Sequence, residues 1–208
     1  RALKPSETLA LGARARELRA KGFSVVSFAA GEPDFDTPDD IREAGIQAIR
    51  AGHTRYTAVG GIPELRAAIA EKLKRENRLA YEPNEIVVSN GAKHAIWNAF
   101  LTVLEPGDEV LCPIPYWVSF PEMVRLVGGE PISVAPKPGA YKIDPQDLER
   151  AITPRSKILV INSPNNPSGA VYSKAELEAL GEVIRRQTLY VLSDEIYEQL
   201  VYGDVRHV

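Results

Sequence analysis

The stretch Lys157-Ile-Leu-Val-Ile-Asn162-Ser-Pro-Asn-Asn-Pro-Ser-Gly169, continued by Ser173 to Arg186 and Leu189-Tyr-Val-Leu-Ser-Asp194-Glu-Ile-Tyr197, reads as strand, sharp turn, helix, strand. Ile158 to Ile161 is an unbroken apolar run, the pattern of a strand buried on both faces. Two prolines and a glycine between Ser163 and Gly169 forbid continuation as helix or sheet. Ser173 with Glu176 three residues on has the spacing of a capping box, so a helix is predicted from Ser173 to Arg186. Leu189 to Leu192 is a second buried-strand run. Parallel strands joined by such a crossover bring their carboxyl ends to one edge of the sheet, where α/β proteins bind ligands. Asn165, Asn166, Asp194 and Tyr197 are therefore predicted to converge on one site. The expected class is α/β, a mostly parallel sheet flanked by helices.

Composition sets outer bounds. A chain of 208 residues, 44% hydrophobic and 25% charged, has ordinary globular composition and enough length for a sizeable core. The net charge of -3, without a basic stripe, argues against nucleic-acid partners and anionic membranes. No apolar run approaches the roughly 20 residues that a membrane span requires. Cys112 is the only cysteine, so no internal disulfide can form, and a reducing, cytoplasmic setting is expected. His53, His94 and His207 are scattered without ligand spacing, so no metal site is expected. No G-x-S-x-G nucleophile elbow occurs.

Upstream, Ser6 to Lys21 is predicted helical with Ser6 as its cap, and Val25 to Phe28 a short strand. The loop Ala30-Gly-Glu-Pro-Asp-Phe-Asp-Thr-Pro38 follows, and Thr37-Pro38 should cap a helix that runs on to Ala51. His53 to Thr57 and Gly60 to Pro63 form the next loop, before a helix marked by Leu65, Ala68, Ile69 and Leu73. Ile86 to Ser89 is predicted to be a strand that turns at Asn90-Gly91 into a helix with apolar residues from Ala92 to Leu104 at a 3.6-residue period. Strand, glycine turn and helix start offer free backbone N–H groups and a positive dipole end, which suits a phosphate. Neither G-x-G-x-x-G nor G-x-x-x-x-G-K-[ST] is present, so dinucleotides and P-loop nucleotides are not favoured. A strand at Glu109 to Cys112 leads into Pro113-Ile-Pro-Tyr-Trp-Val-Ser-Phe-Pro121. A helix at Glu122 to Val127, a strand at Ile132 to Val134 and a helix at Asp147 to Ile152 complete the pattern. On residue chemistry alone Trp117 suits a core, Tyr56 packing beside a turn, and the Gly31 loop an acidic turn before a helix.

Ser163-Pro-Asn-Asn-Pro-Ser-Gly169 together with Ser193-Asp-Glu-Ile-Tyr197 resembles the class I, fold-type I aminotransferases that use pyridoxal 5'-phosphate, aspartate aminotransferase-like, and upstream matches extend the likeness over nearly the whole chain. The resemblance implies the following roles. Asp194 would sit against the pyridine nitrogen, and Asn166 and Tyr197 would hydrogen-bond the phenolic oxygen. Trp117 would stack on the ring, and Gly91, Ala92 and Lys93 would hold the phosphate. Gly31, Trp117 and Asn166 would meet the substrate, Gly31 through its backbone. Tyr56 would reach the cofactor phosphate of a neighbouring subunit, which implies a homodimer. The substrates would be an amino acid, aspartate as the leading choice, and a 2-oxo acid.

Family members are longer, so the chain is expected to be the N-terminal part of such an enzyme. Residues 1–38 would be an N-terminal segment with part of a small domain, and 39–208 an incomplete cofactor-binding large domain. The Schiff-base lysine and the arginine that clamps the substrate α-carboxylate would lie beyond residue 208, and the chain alone would not transaminate. Ser156-Lys157 and Ser173-Lys174 stand elsewhere than the family's lysine. Two other classes stand beside it: a fold-type I lyase or synthase, such as a carbon–sulfur lyase or aminocyclopropane carboxylate synthase, which shares the Asn, Asp and Tyr constellation, and a non-catalytic binding module.

Overall fold

Ser156–Asn162 and Tyr190–Asp194 are neighbouring parallel strands in a computed structural model of the chain. It describes residues 7–28, 31 and 33–208, with the backbone alone for 7–9. The chain divides into two compact units, Arg1–Tyr56 and Thr57–Val208.

In the first unit, α1 (Glu7–Ala20) and α2 (Asp39–Arg50) are the regular elements. Ser6, the predicted cap of α1, lies outside the described residues, as do Ala30 and Glu32 of the Gly31 loop. The helix α2 begins one residue later than expected, with Pro38 as its N-cap and no side-chain cap. Asp39 and Asp40 in its first turn and Arg50 in its last complement the helix dipole instead. The predicted strand Val25 to Phe28 does not form. Arg19 donates twice to Val25 O, at 3.1 and 3.0 Å, while Val26 and Phe28 are exposed. Without a partner ladder, a β-prone run remains irregular.

The second unit opens with α3 (Pro63–Lys72), extended by a π turn over Leu73–Asn77 that closes on Arg78 at φ 59°. A 3₁₀ turn at Pro83–Glu85 precedes the segment Ile86 to Ser89. That segment was predicted as a strand and is not one among the described residues. Ile86 is extended, at φ -110° and ψ 131°, but pairing is limited to the Val88 N–H donating to Gly60 O at 2.9 Å. It delivers the chain to Gly91, from which α4 (Ala92–Val103) starts.

From there the chain alternates strand and helix as β1 (Glu109–Pro113), α5 (Ser119–Leu126), β2 (Glu130–Val134), α6 (Pro145–Ala151), β3 (Ser156–Asn162), α7 (Lys174–Gln187) and β4 (Tyr190–Asp194). The sheet order is β2-β1-β3-β4, and every pair is parallel, as the buried runs predict. Alternate residues feed two cores. Val110, Cys112, Ile158 and Val160 pack with Ile96 and Phe100 of α4 and Phe120, Met123 and Val124 of α5. Leu111, Leu159 and Ile161 pack with Leu148 of α6 and Leu180 and Val183 of α7. Helices thus cover both faces, the condition under which parallel sheets are stable.

Three local outcomes refine the expectation. Helix α5 starts ahead of Glu122, at Ser119, because Pro121 falls in the first turn, where a missing N–H costs nothing. Helix α7 has the predicted capping box: Ser173 Oγ accepts from the Glu176 N–H, and Glu176 accepts from the Ser173 N–H at 2.7 Å. The run Leu189 to Leu192, expected to be buried on both faces, forms β4, which among the described residues pairs with β3 and stands at the edge of the sheet. Tyr190 and Val191 are accordingly 62% and 46% exposed.

Candidate active site

The carboxyl ends of β1, β3 and β4 lie on one edge, and the candidate residues issue from them. In the β3–β4 register Asn162 stands beside Asp194. Asn162 Nδ2 donates to Asp194 O at 3.0 Å, and the Ser163 N–H donates to the same carbonyl at 3.2 Å. Asn162 Oδ1 accepts from the Asn166 N–H at 2.7 Å. Asn162 therefore links the main chain of Asp194, at the end of β4, to that of Asn166, in the turn after β3.

The turn that carries Asn166 is held by its own polar groups. Asn165 Oδ1 accepts from the Ser168 N–H at 3.1 Å and from its hydroxyl at 2.7 Å. The Gly169 N–H donates to Asn165 O at 2.8 Å. Asn165 Nδ2 donates to Pro115 O at 3.2 Å, tying this turn to the loop that bears Trp117. Asn165, expected among the converging residues, spends its side chain on this scaffold. The Asn166 side chain has no hydrogen-bond partner among the described residues and is free for a ligand.

Asp194 is buried at 9% exposure. Burial pushes its carboxyl above the usual 3.8, the Ile196 N–H bond at 3.2 Å opposes this, and the Glu195 charge adds to it. No cation contributes. A carboxylate held out of water without a counter-charge is a site for a positively charged or N–H-bearing ligand.

Gly91 adopts φ 80° and ψ 167° as the N-cap of α4, a conformation open to glycine, and a Cβ there would meet nothing within 4 Å. The Gly91 N–H is used by Ser89 O, and the His94 and Ala95 amides return to Gly91 O. The Ala92 and Lys93 amides have no acceptor among the described residues. Two free N–H groups at the start of a helix, with open space before them, fit an anion. The Asn90 N–H is taken by His94 Nδ1 at 3.1 Å, which gives His94 a structural task.

The Gly91 turn and Trp117 meet: Lys93 Nζ lies 4.8 Å from the Trp117 ring centroid. Phe120 packs edge-on to the same indole at 5.5 Å and 90°. The indole is thus half-buried and fixed in plane. Among the residues of this unit, the Gly91 turn, Trp117, Asn166 and Asp194 share one sheet edge.

Tyr197 lies in the turn after β4, half-buried, with no partner for its hydroxyl among the described residues. That turn is pinned from the side. Glu198 accepts from Lys72 Nζ and, at 2.9 Å, from Asn77 Nδ2. Burial alone would raise the Glu198 carboxyl; these bonds and the Lys72 charge hold it below its usual value. His207 Nε2 approaches Glu195 Oε2 at 3.0 Å, and with Glu198 the three offer ligand atoms within 4.8 Å of one another. With Lys72 and Asn77 already on Glu198, the cluster is an ion-pair network that anchors the Tyr197 turn.

In the first unit, Gly31 is exposed with open space around its Cα, and Tyr56 is fully exposed, so it does not pack beside its turn. Sequence reasoning passed over two residues. Asn162 has a signal in the sequence, a polar residue that ends an apolar strand. Glu198 carried no signal, because its partners are more than a hundred positions away, at Lys72 and Asn77.

Known proteins can now be set beside this geometry. Residues 24–208 match the family model described as aminotransferase class I and II. The chain is 53% identical over 204 residues to the aspartate/prephenate aminotransferase of Cereibacter sphaeroides, covering 97% of this chain and 51% of that protein. It is 49% identical to the aspartate aminotransferase of Bacillus subtilis, covering 100% of this chain and 53% of that protein. The solved structure of Thermus thermophilus aspartate aminotransferase with maleate superposes with a TM-score of 0.94 at 49% identity, covering 100% of this chain and 56% of that one. The chain spans about half the length of the curated relatives it matches. The parallel sheet, the motifs at its carboxyl edge and these likenesses agree: the chain belongs to the class I and II aminotransferases.

Proposed function

We propose that the full-length protein is a pyridoxal-phosphate-dependent aminotransferase that moves an amino group between an amino acid, aspartate or one similar to it, and a 2-oxo acid. The observation that carries this reading is the buried, cation-free Asp194 carboxylate sharing a sheet edge with the open amides of Ala92 and Lys93. One end of the site suits a protonated ring nitrogen and the other a phosphate. The cofactor supplies an electron sink for the charge left when a substrate loses its Cα proton.

The remaining work falls to this chain's residues. Asp194 accepts the N–H of the ring and balances its charge, which relieves the cost of its own burial. The Ala92 and Lys93 amides, at the positive end of α4, bind the phosphate, with Gly91 allowing close approach. Trp117, held by Lys93 and Phe120, covers one ring face, fixes its tilt and keeps water out. The Asn166 amide and Tyr197 hydroxyl, both unclaimed by the protein, hydrogen-bond the phenolic oxygen. Gly31 presents main chain to the substrate carboxylate, and Tyr56 reaches a second subunit of a homodimer. The Schiff-base lysine and the carboxylate-clamping arginine come from the rest of the full-length protein. Residues 1–38 belong to a small domain and 39–208 to the cofactor-binding domain.

A cytoplasmic setting is part of the same reading. Cys112 is buried, and burial raises its thiol pKa to about 12, keeping it in the unreactive protonated form. No helix among the described residues is long and apolar enough to cross a membrane.

The test is a single half-reaction. The purified full-length protein, loaded with pyridoxal phosphate and given aspartate, should form one pyridoxamine phosphate and one 2-oxo acid per site. Release of ammonia or a side-chain fragment, with the cofactor left in its aldehyde form, would replace this reading with that of a lyase.

A further inference from the structure

We propose that Asn162 is a positioning residue that sets the cofactor-facing groups of two neighbouring strand ends relative to each other, an inference that rests on the reading of the site given above. Its side chain is buried at 7% exposure and both of its polar ends are committed. The amide nitrogen donates to the main-chain carbonyl of Asp194 at 3.0 Å, and the amide oxygen accepts from the main-chain N–H of Asn166 at 2.7 Å. A carboxamide is the short side chain that offers donor and acceptor on one rigid plane. Serine has one oxygen for both tasks and a shorter reach, and leucine has neither group.

The bond to Asp194 also continues the ladder. The register of β3 and β4 ends at the pair Asn162 and Asp194, and beyond it the chains diverge into unrelated turns. The Asn162 side chain and the Ser163 N–H, at 3.2 Å, are the two donors that hold the Asp194 carbonyl where regular pairing stops. On the other side, the first residue of the turn that faces the ring is fixed to the same plane. One amide therefore determines the separation between the carboxylate meant for the ring nitrogen and the amide meant for the phenolic oxygen. Those groups bind two different positions on the edge of one ring, so their spacing controls ring position and protonation together. Cys112, Tyr141 and Tyr172 line a small cavity behind Asn162 and lend it no hydrogen bond. No other described side chain performs this link.

The experiment uses the full-length protein as wild type, Asn162→Leu, Asn162→Ser and a control, Val183→Ala, which removes a buried contact on the α7 side. Three quantities are read: the pH midpoint of the bound cofactor's absorbance band, the Kd for pyridoxal phosphate from titration of the apoprotein, and kcat and KM separately. Both Asn162 variants should lower kcat about tenfold and raise the cofactor Kd by a similar factor, with KM changed less than about twofold, because misplacement by a fraction of an ångström acts on the reacting geometry. The band midpoint should move by about half a pH unit or more, since ring protonation follows its partners. Val183→Ala should lose thermal stability and leave all three unchanged. If Asn162→Leu fails to fold, Asn162→Ser decides. A folded Asn162→Ser protein with the wild-type midpoint and kcat overturns the assignment and leaves Asn162 a strand-end cap. A wild-type protein that takes up no cofactor overturns the reading of the site and this inference with it, a result distinct from the previous one.

Discussion

Gly61 offers a perturbation whose size can be worked from geometry. It closes the turn before α3 with φ +102°, and a Cβ built there would lie 2.5 Å from Val88 Cγ2 and 2.8 Å from Val88 Cβ. The clash cannot be relieved by sliding the two segments apart, because the Val88 N–H donates to Gly60 O at 2.9 Å. Gly61→Ala thus combines overpacking, which costs about 1–3 kcal/mol, with a left-handed conformation at a non-glycine residue, about 1–2 kcal/mol. The expected loss is about 2–5 kcal/mol, read as a fall in the urea midpoint of the full-length protein without a change in m. Val88→Ala alone should cost about 1 kcal/mol for its lost methyl groups. The double variant should recover the share due to Val88 Cγ2, a favourable coupling of about 1 kcal/mol, while the 2.8 Å approach to the retained Cβ and the backbone part remain. Because the Val88 segment delivers Asn90 and Gly91 to the site, Gly61→Ala should also weaken pyridoxal phosphate binding, and Val88→Ala should restore part of it. A cost below about 1 kcal/mol for Gly61→Ala, or strictly additive losses in the double variant, would refute the packing argument.

Asp194→Ala in the full-length enzyme should reduce kcat by orders of magnitude while raising the cofactor Kd far less, since the phosphate and ring-face contacts remain; near-normal turnover would discredit the ring-nitrogen role. Without cofactor the same carboxylate is a liability. Its folded pKa is raised by burial, so its favourable contribution is complete below the unfolded value near 3.8 and lost as pH rises through the folded value. Asp194→Asn apoprotein should therefore be more stable than wild type at neutral pH, with the advantage shrinking toward pH 4 in thermal melts. Glu109 has the opposite sign. It is 1% exposed at the amino end of β1 and accepts from Thr153, Ser156 and twice from Arg155. Burial pushes its carboxyl up, and these bonds together bring it below 4.5, so its contribution holds above that value and is lost as pH falls through the folded pKa. Glu109→Gln should lower stability by about 1–3 kcal/mol at pH 7, through weakened charge-assisted bonds. It should also flatten the acid limb of the stability–pH curve, and an unchanged limb would refute the role.

Local regularity was legible from the residues themselves. The strand patterns at 109–112 and 132–134, the apolar run at 158–161, the capping box at Ser173 and Glu176, and the glycine turn at 91 each record a physical requirement satisfied within a few positions. The reading failed where an element needs a distant partner. Val25 to Phe28 and Ile86 to Ser89 have strand composition, yet neither gains a ladder, because composition sets what a segment can pair with and not whether a neighbour stands beside it.

The site divides along the same line. The residue types, their order and the sheet edge they occupy follow from sequence, because parallel crossovers of one hand leave little freedom in where strand ends fall. Only the tertiary structure decided which side chains are spent on the scaffold and which are left for a ligand. Asn165 and Asn166 are adjacent and chemically identical, yet one ties its turn to Pro115 and Ser168 and the other has no side-chain hydrogen bond among the described residues. Part of that distinction is local, in the bonds from Ser168 to Asn165, but the bond to Pro115 depends on the loop after β1 standing opposite, fifty positions away in the sequence.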